Sequence, residues 1–249
     1  WYRKAAEQGH AEAQNYLGVL YEYGKGVEKD CSHAFYWIHK AAEQDDITPQ
    51  SNLGGIYARG QGVEKDDGQA IKWIRKAAER GRRDAQCNLG EFYYDGRWVG
   101  RNDMLAIEWD SKAAQQKLPR AQYQLGTMFE NGKGVSKDMR EAVRLYQDAS
   151  RGTWPNKPYA PAKTKLGMLH LRGRGVKQDL QRAKELSEQA AQEGDESSWF
   201  KLAYYFNLHA VGCGSPDLVK AEELFASQQP VGSLRLDLEF SASVDGVDH

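Results

Sequence analysis

The sequence predicts an all-α fold, a right-handed α-solenoid of about six helix–turn–helix repeats with a half repeat in front and a short extended tail. Three observations carry this. Leu-Gly, or Leu-Ala in the last copy, begins at positions 17, 53, 89, 125, 166 and 202, so the spacings are 36, 36, 36, 41 and 36. Four residues after each Leu stand Tyr21, Tyr57, Tyr93, Phe129, His170 and Phe206; four before it stand Ala13, Pro49, Ala85, Ala121, Ala162 and Ser198. Glycines and Asp or Asn then punctuate the copies at matching offsets. Self-similarity at a period of this length is the mark of stacked repeats.

The first part of each unit carries apolar or small residues at 13, 17, 20, 21 and 24, a helical stripe, and is read as helix A. Gly24, Gly60, Gly96, Gly132 and Gly173 end it, since glycine accepts the left-handed C-terminal cap. Asp30, Asp66, Asn102, Asp138, Asp179 and Asp217 are placed to cap the next helix, B. Helix B repeats one face as Ala34, Trp37, Ala41 and Ala42, then as Ala70, Trp73, Ala77 and Ala78, then as Ala106, Trp109, Ala113 and Ala114. Gly18 and its equivalents let helices approach closely, while the large Trp and Tyr rings are expected to fill the space between layers.

One A–B pair is too small to bury its own faces, and stacking neighbours buries them. The repeats are placed at 10–45, 46–81, 82–117, 118–158, 159–194 and 195–229, with a tail at 230–249. Residues 1–9, with Trp1 and Ala5-Ala6, match only the end of a helix B. That leaves an open apolar edge, so further repeats are expected upstream. The fourth unit is longer by a surplus that reads Thr153-Trp154-Pro155-Asn156-Lys157-Pro158-Tyr159-Ala160-Pro161. Its prolines predict a non-helical loop. Trp98 stands where the other loops have Gly26, Gly62, Gly134 and Gly175. In the tail, Leu234, Leu236, Leu238 and Phe240 alternate with polar residues, which is strand periodicity. This stretch is expected to cap the last repeat, or to pair with another chain.

Composition excludes several classes of function. Charged residues make up 28% and hydrophobic residues 40% of 249, so the chain is expected to fold. Lys+Arg of 34 against Asp+Glu of 35 gives a net charge of −1, which argues against nucleic-acid binding and a polybasic membrane anchor. No apolar run approaches spanning length. Three cysteines are too few for a disulfide framework and are read as reduced thiols. The six histidines form no metal-binding motif, and no phosphate loop or nucleophile elbow occurs. No cofactor, metal site or catalytic residue is expected. Ser198-Trp199-Phe200-Lys201 spells the S-x-x-K of serine β-lactamases, but its companion motifs are missing.

The unit A-x-x-x-L-G-x-x-Y-x-x-G-x-G-V-x-x-D, almost whole at 13–30, resembles the Sel-one-like repeat (SLR) family, relatives of the tetratricopeptide (TPR) solenoids. The resemblance covers roughly residues 1–229 and has a bacterial look. It implies a superhelical adaptor that binds other proteins, often in envelope assembly, signalling or host contact. Some secreted relatives carry a disulfide in every repeat, a pattern this chain lacks.

In TPR-like solenoids the A helices line the concave face, and an Asn before Leu-Gly clamps a peptide backbone in some of them. The corresponding positions here are Tyr16, Asn52, Asn88, Gln124, Lys165 and Lys201, joined on the same side by Glu91, Tyr94, Tyr123, Phe200 and Tyr204. Asn and Gln offer both a donor and an acceptor, and the lysines suit an acidic group. The alternative is that these Asn residues brace neighbouring helices. Trp154 and Tyr159 in the surplus are further candidate contacts, unless both rings fold back onto the helices.

The expected function is therefore a non-catalytic scaffold holding a protein or peptide in the concave groove. Alternatives are an enzyme-like binder of cell-wall fragments or β-lactams, and a homotypic assembly module using the first helix and the tail. The compartment stays open between cytoplasm and export, with a lean toward export.

Overall fold

A computed structural model describes residues 1–152 and 158–195. All lie in the first of two units of the chain, Trp1–Ser198. The described residues form eleven helices: α1 (Tyr2–Glu7), α2 (Ala11–Tyr23), α3 (Cys31–Ala42), α4 (Ile47–Arg59), α5 (Asp67–Glu79), α6 (Arg83–Asp95), α7 (Asp103–Gln115), α8 (Pro119–Asn131), α9 (Met139–Arg151), α10 (Ala160–Arg172) and α11 (Leu180–Gln192). No strand occurs among them. Even-numbered helices are the A helices and odd-numbered ones the B helices. Each packs chiefly on its neighbours in sequence, the connectivity of an α-solenoid.

The helix ends follow their local chemistry. Asp30, Asp66, Asn102, Asp138 and Asp179 each accept backbone amides at the start of a B helix. Gly24, Gly60, Gly96, Gly132 and Gly173 end the A helices in the left-handed conformation, with φ between 64° and 69°. Trp98 adopts φ 63°, like the glycines it replaces. A side chain there is strained, and its ring is held against Phe92 with centroids 4.6 Å apart.

The helix pairs close on the glycine of Leu-Gly. A methyl group at Gly18 or Gly54 would lie 2.5 Å from Cγ1 of Ile38 or Ile74. At Gly126 the opposing atoms belong to the Tyr146 ring and at Gly167 to Ser187. At Gly90 they belong to the carboxyl group of Asp110. One repeat thus presses an acid into a place that two others fill with isoleucine.

Three expectations are corrected. Leu20 and Tyr21 are only half-buried, whereas Gln14, Gln50 and Gln86 are buried. Their amides donate to the carbonyls of Ala6, Ala42 and Ala78, closing the end of the preceding B helix. Trp37, Trp73 and Trp109 are half-buried rather than the filling between layers. Each packs at the margin of a core cluster with a lysine ammonium over its ring, 5.6, 5.5 and 4.2 Å from the centroid. Ala160 and Pro161 are helical, since proline is tolerated in the first turn. Trp154, the repeat at 195–229 and the tail lie largely or wholly outside the described residues, as do Ser198, Phe200, Lys201 and Tyr204.

Candidate functional site

Neighbouring A helices present side chains to one another about one repeat apart in sequence. Asn52 Nδ2 donates to Asn15 Oδ1 at 2.9 Å, and the Arg59 guanidinium meets Glu22 at 2.9 Å. Asn88 accepts from the Arg120 guanidinium, which also reaches Cys87 Sγ at 3.2 Å and Glu91 at 3.8 Å. The Cys87 thiol donates to Gln124 Oε1 at 2.9 Å, and Lys165 pairs with Glu130 at 2.9 Å. Asn52 and Asn88 thus brace adjacent helices. Tyr16, at the other end of the row from Lys165, stacks on Tyr2 with centroids 4.6 Å apart.

Four residues marked out by the sequence come together. Glu91, Tyr94, Tyr123 and Gln124 line one pocket of about 210 Å³, with Asp95, Asp110, Thr127 and Met128 completing it. The Tyr94 hydroxyl accepts from Lys133 Nζ at 2.9 Å, and that ammonium also sits 4.7 Å from the ring centroid. Tyr123 packs against Tyr146 and Tyr159, with centroids 5.5 and 5.3 Å away. The Tyr159 ring therefore turns back onto α8, while its backbone N–H donates to the Ala149 carbonyl of α9.

Electrostatics single out Asp110. It is 1% exposed and its Oδ1 has no hydrogen-bond partner. Burial pushes its carboxyl well above the usual range; Arg120 opposes the shift and Glu91 adds to it. Burial likewise pushes the Cys87 thiol up to about 12, leaving it protonated and unreactive. Glu130 behaves oppositely. Burial alone would raise it, but hydrogen bonds from Lys165 and the Tyr146 hydroxyl outweigh that and hold it below its ordinary value. Sequence reasoning missed Asp110 and Arg120. The signal for Asp110 was present, because Trp-Ile at 37–38 and 73–74 becomes Trp-Asp at 109–110.

Among the described residues no group of three or more His, Cys, Asp or Glu is placed to hold a metal ion. None of their helices is long and apolar enough to cross a membrane. Cys31 and Cys87 are free thiols.

The Sel1 repeat family matches residues 1–10, 11–46, 50–81, 83–118, 119–152, 160–195 and 200–227. A search of curated proteins finds no significant match. Among solved structures, a Sel1 repeat protein from Oxalobacter formigenes is 30% identical, with a TM-score of 0.78 over 89% of each chain. A protective antigen present in uropathogenic Escherichia coli strains, with an SLR fold, is 34% identical with a TM-score of 0.73. That match covers 91% of this chain and 47% of the antigen. A Sel1 repeat protein from Klebsiella pneumoniae, 23% identical with a TM-score of 0.53 over 82% of this chain and 97% of its own, shares the fold. Sel1 repeats commonly mediate protein–protein interactions, and solenoids built from them are generally non-catalytic scaffolds. On the run of matched repeats and the length of the shared architecture, this chain belongs to the Sel1 repeat family.

Proposed function

We propose that this chain is a non-catalytic adaptor that holds a segment of another protein against its A-helix face, centred on α6 and α8. The observation that supports this is the pocket between these helices. It gathers two aromatic rings, an amide and three carboxyl groups, and one of these, Asp110, has a buried oxygen without a partner. A few buried anchors of this kind dominate affinity in most interfaces. The partner is a protein or peptide, from the bacterial envelope or a signalling pathway or from a host.

The test is capture from lysate and envelope fractions of the source organism by wild type and by a Tyr94→Ala/Tyr123→Ala variant, each checked for helicity. A protein held by the wild type and lost from the variant supports the reading. Equal capture by both refutes the site.

A further inference from the structure

We infer that the pocket between α6, α7 and α8 receives a lysine or arginine side chain of the partner segment, with the carboxyl group of Asp110 as its counter-ion. This rests on the adaptor reading and assigns the chemistry of its anchor. Glu91, Asp95 and Asp110 line the pocket and no basic residue does. Asp95 meets Arg97 at 3.6 Å and Glu91 meets Arg120 at 3.8 Å. Asp110, whose side chain is almost wholly removed from water, is the lining residue with a buried oxygen that has no partner. Arg120, the basic group of α8 whose charge acts on it, hydrogen-bonds Cys87 and Asn88 instead. Lys133 is spent on the hydroxyl and ring of Tyr94.

A buried polar atom left unpaired is unfavourable, so an acid kept at such a place calls for a physical reason. In two other repeats this position is Ile38 or Ile74, so packing does not require an acid. A volume of about 210 Å³ admits one long side chain rather than a helix. The rings of Tyr94 and Tyr123 and the side chain of Met128 offer a surface for an aliphatic stem.

Pairing with an ammonium or guanidinium favours the charged carboxylate, so entry of the cation draws the raised Asp110 carboxyl back down, and any proton it holds leaves to solvent. The surrounding titratable and charged groups are Glu91, Asp95 and Cys87 from α6 and Arg120 from α8, with Lys133 and Arg101 beside Tyr94.

The experiment titrates the whole chain at pH 7 with N-acetyl-lysine methylamide, N-acetyl-arginine methylamide and neutral N-acetyl-norleucine methylamide. It follows the Asp110 carboxyl carbon and the Met128 methyl group by NMR. The expected result is saturable shifts with at least one cationic probe and a lowered Asp110 pKa at saturation. Affinity should fall at least tenfold in Asp110→Asn, whose near-equal shape preserves the fold. Equal binding of the norleucine probe, or no shift with either cation up to 100 mM, overturns the inference. The adaptor reading is tested apart from it. A partner captured equally by wild type and Asp110→Asn, yet lost from Tyr94→Ala/Tyr123→Ala, leaves an adaptor without a cation pocket.

Discussion

Replacing Asp110 by isoleucine should make the protein more stable, by an amount that depends on pH. The backbone at this contact already accommodates isoleucine twice, since Ile38 and Ile74 face Gly18 and Gly54 as Asp110 faces Gly90. The substitution removes a buried oxygen that lacks a partner, a burden of about 1–3 kcal/mol. It also buries an aliphatic side chain, for about 1.5–3 kcal/mol. Loss of part of the pocket wall offsets some of this, leaving a net gain of about 2 kcal/mol or more at pH 8. The pH dependence follows from the raised carboxyl. Between the unfolded value near ~3.9 and its higher folded value, the native wild type holds more protons than the unfolded chain. Wild-type stability from this group is therefore fully present below the unfolded value and falls as pH rises through the folded one. The isoleucine variant lacks that slope, so its advantage should be largest at pH 8 and shrink toward pH 4. Urea denaturation of both proteins at several pH values measures it. A variant less stable than wild type at pH 8, or an advantage that grows as pH falls, would refute the reasoning.

Three further substitutions probe the frame around the site. Gly54→Ala drives a methyl group into Ile74 and the Ala70 carbonyl and should cost about 1–3 kcal/mol. Gly55→Ala meets first only the movable Arg59 guanidinium and should gain about 0.5–1 kcal/mol, both read by urea melts. Asn102→Ala removes the acceptor for the Leu105 N–H and should cost about 1 kcal/mol, with faster amide exchange in the first turn of α7. In a Cys31→Ser/Cys213→Ser background, Cys87 should resist a thiol reagent at pH 8 and react readily once urea unfolds the chain. Reaction of the native protein at the rate of a free thiol would contradict its burial.

The helix boundaries were legible because they depend on chemistry within a few residues. An Asp needs only the amides two or three positions on, and a glycine only its own freedom at positive φ. What stayed hidden depends on a partner distant in sequence. Gln14 reads as a polar surface residue until the carbonyl of Ala6, on the preceding helix, is brought above it. The Trp of each B helix looks like core by size, but Ile38 beside it takes the tight contact with Gly18 while Trp37 lies half outside under Lys40. Following one face of helix A along the repeats did reach Glu91, Tyr94, Tyr123 and Gln124. It could not reach Asp110, which enters the same pocket from a B helix. Only comparison of that B-helix position across repeats exposes it, and there the departure from Ile38 and Ile74 is plain.

A solenoid whose helices pack mainly on sequence neighbours has a stability close to a sum of repeat and interface contributions. An unpaired acid therefore weakens one place, the junction of α6, α7 and α8, without loosening the rest. A ligand that pairs with that acid returns the missing interaction to the same junction, and binding to the folded form stabilises it by mass action. Protection from amide exchange should then rise in α6, α7 and α8 when a cationic segment binds. The junction of α2 and α3, where Ile38 fills the equivalent space against Gly18, has nothing left to satisfy and should not change. A rise spread evenly over all the described helices would instead mean that the segment is held along the whole A-helix face, with Asp110 contributing no more than its neighbours.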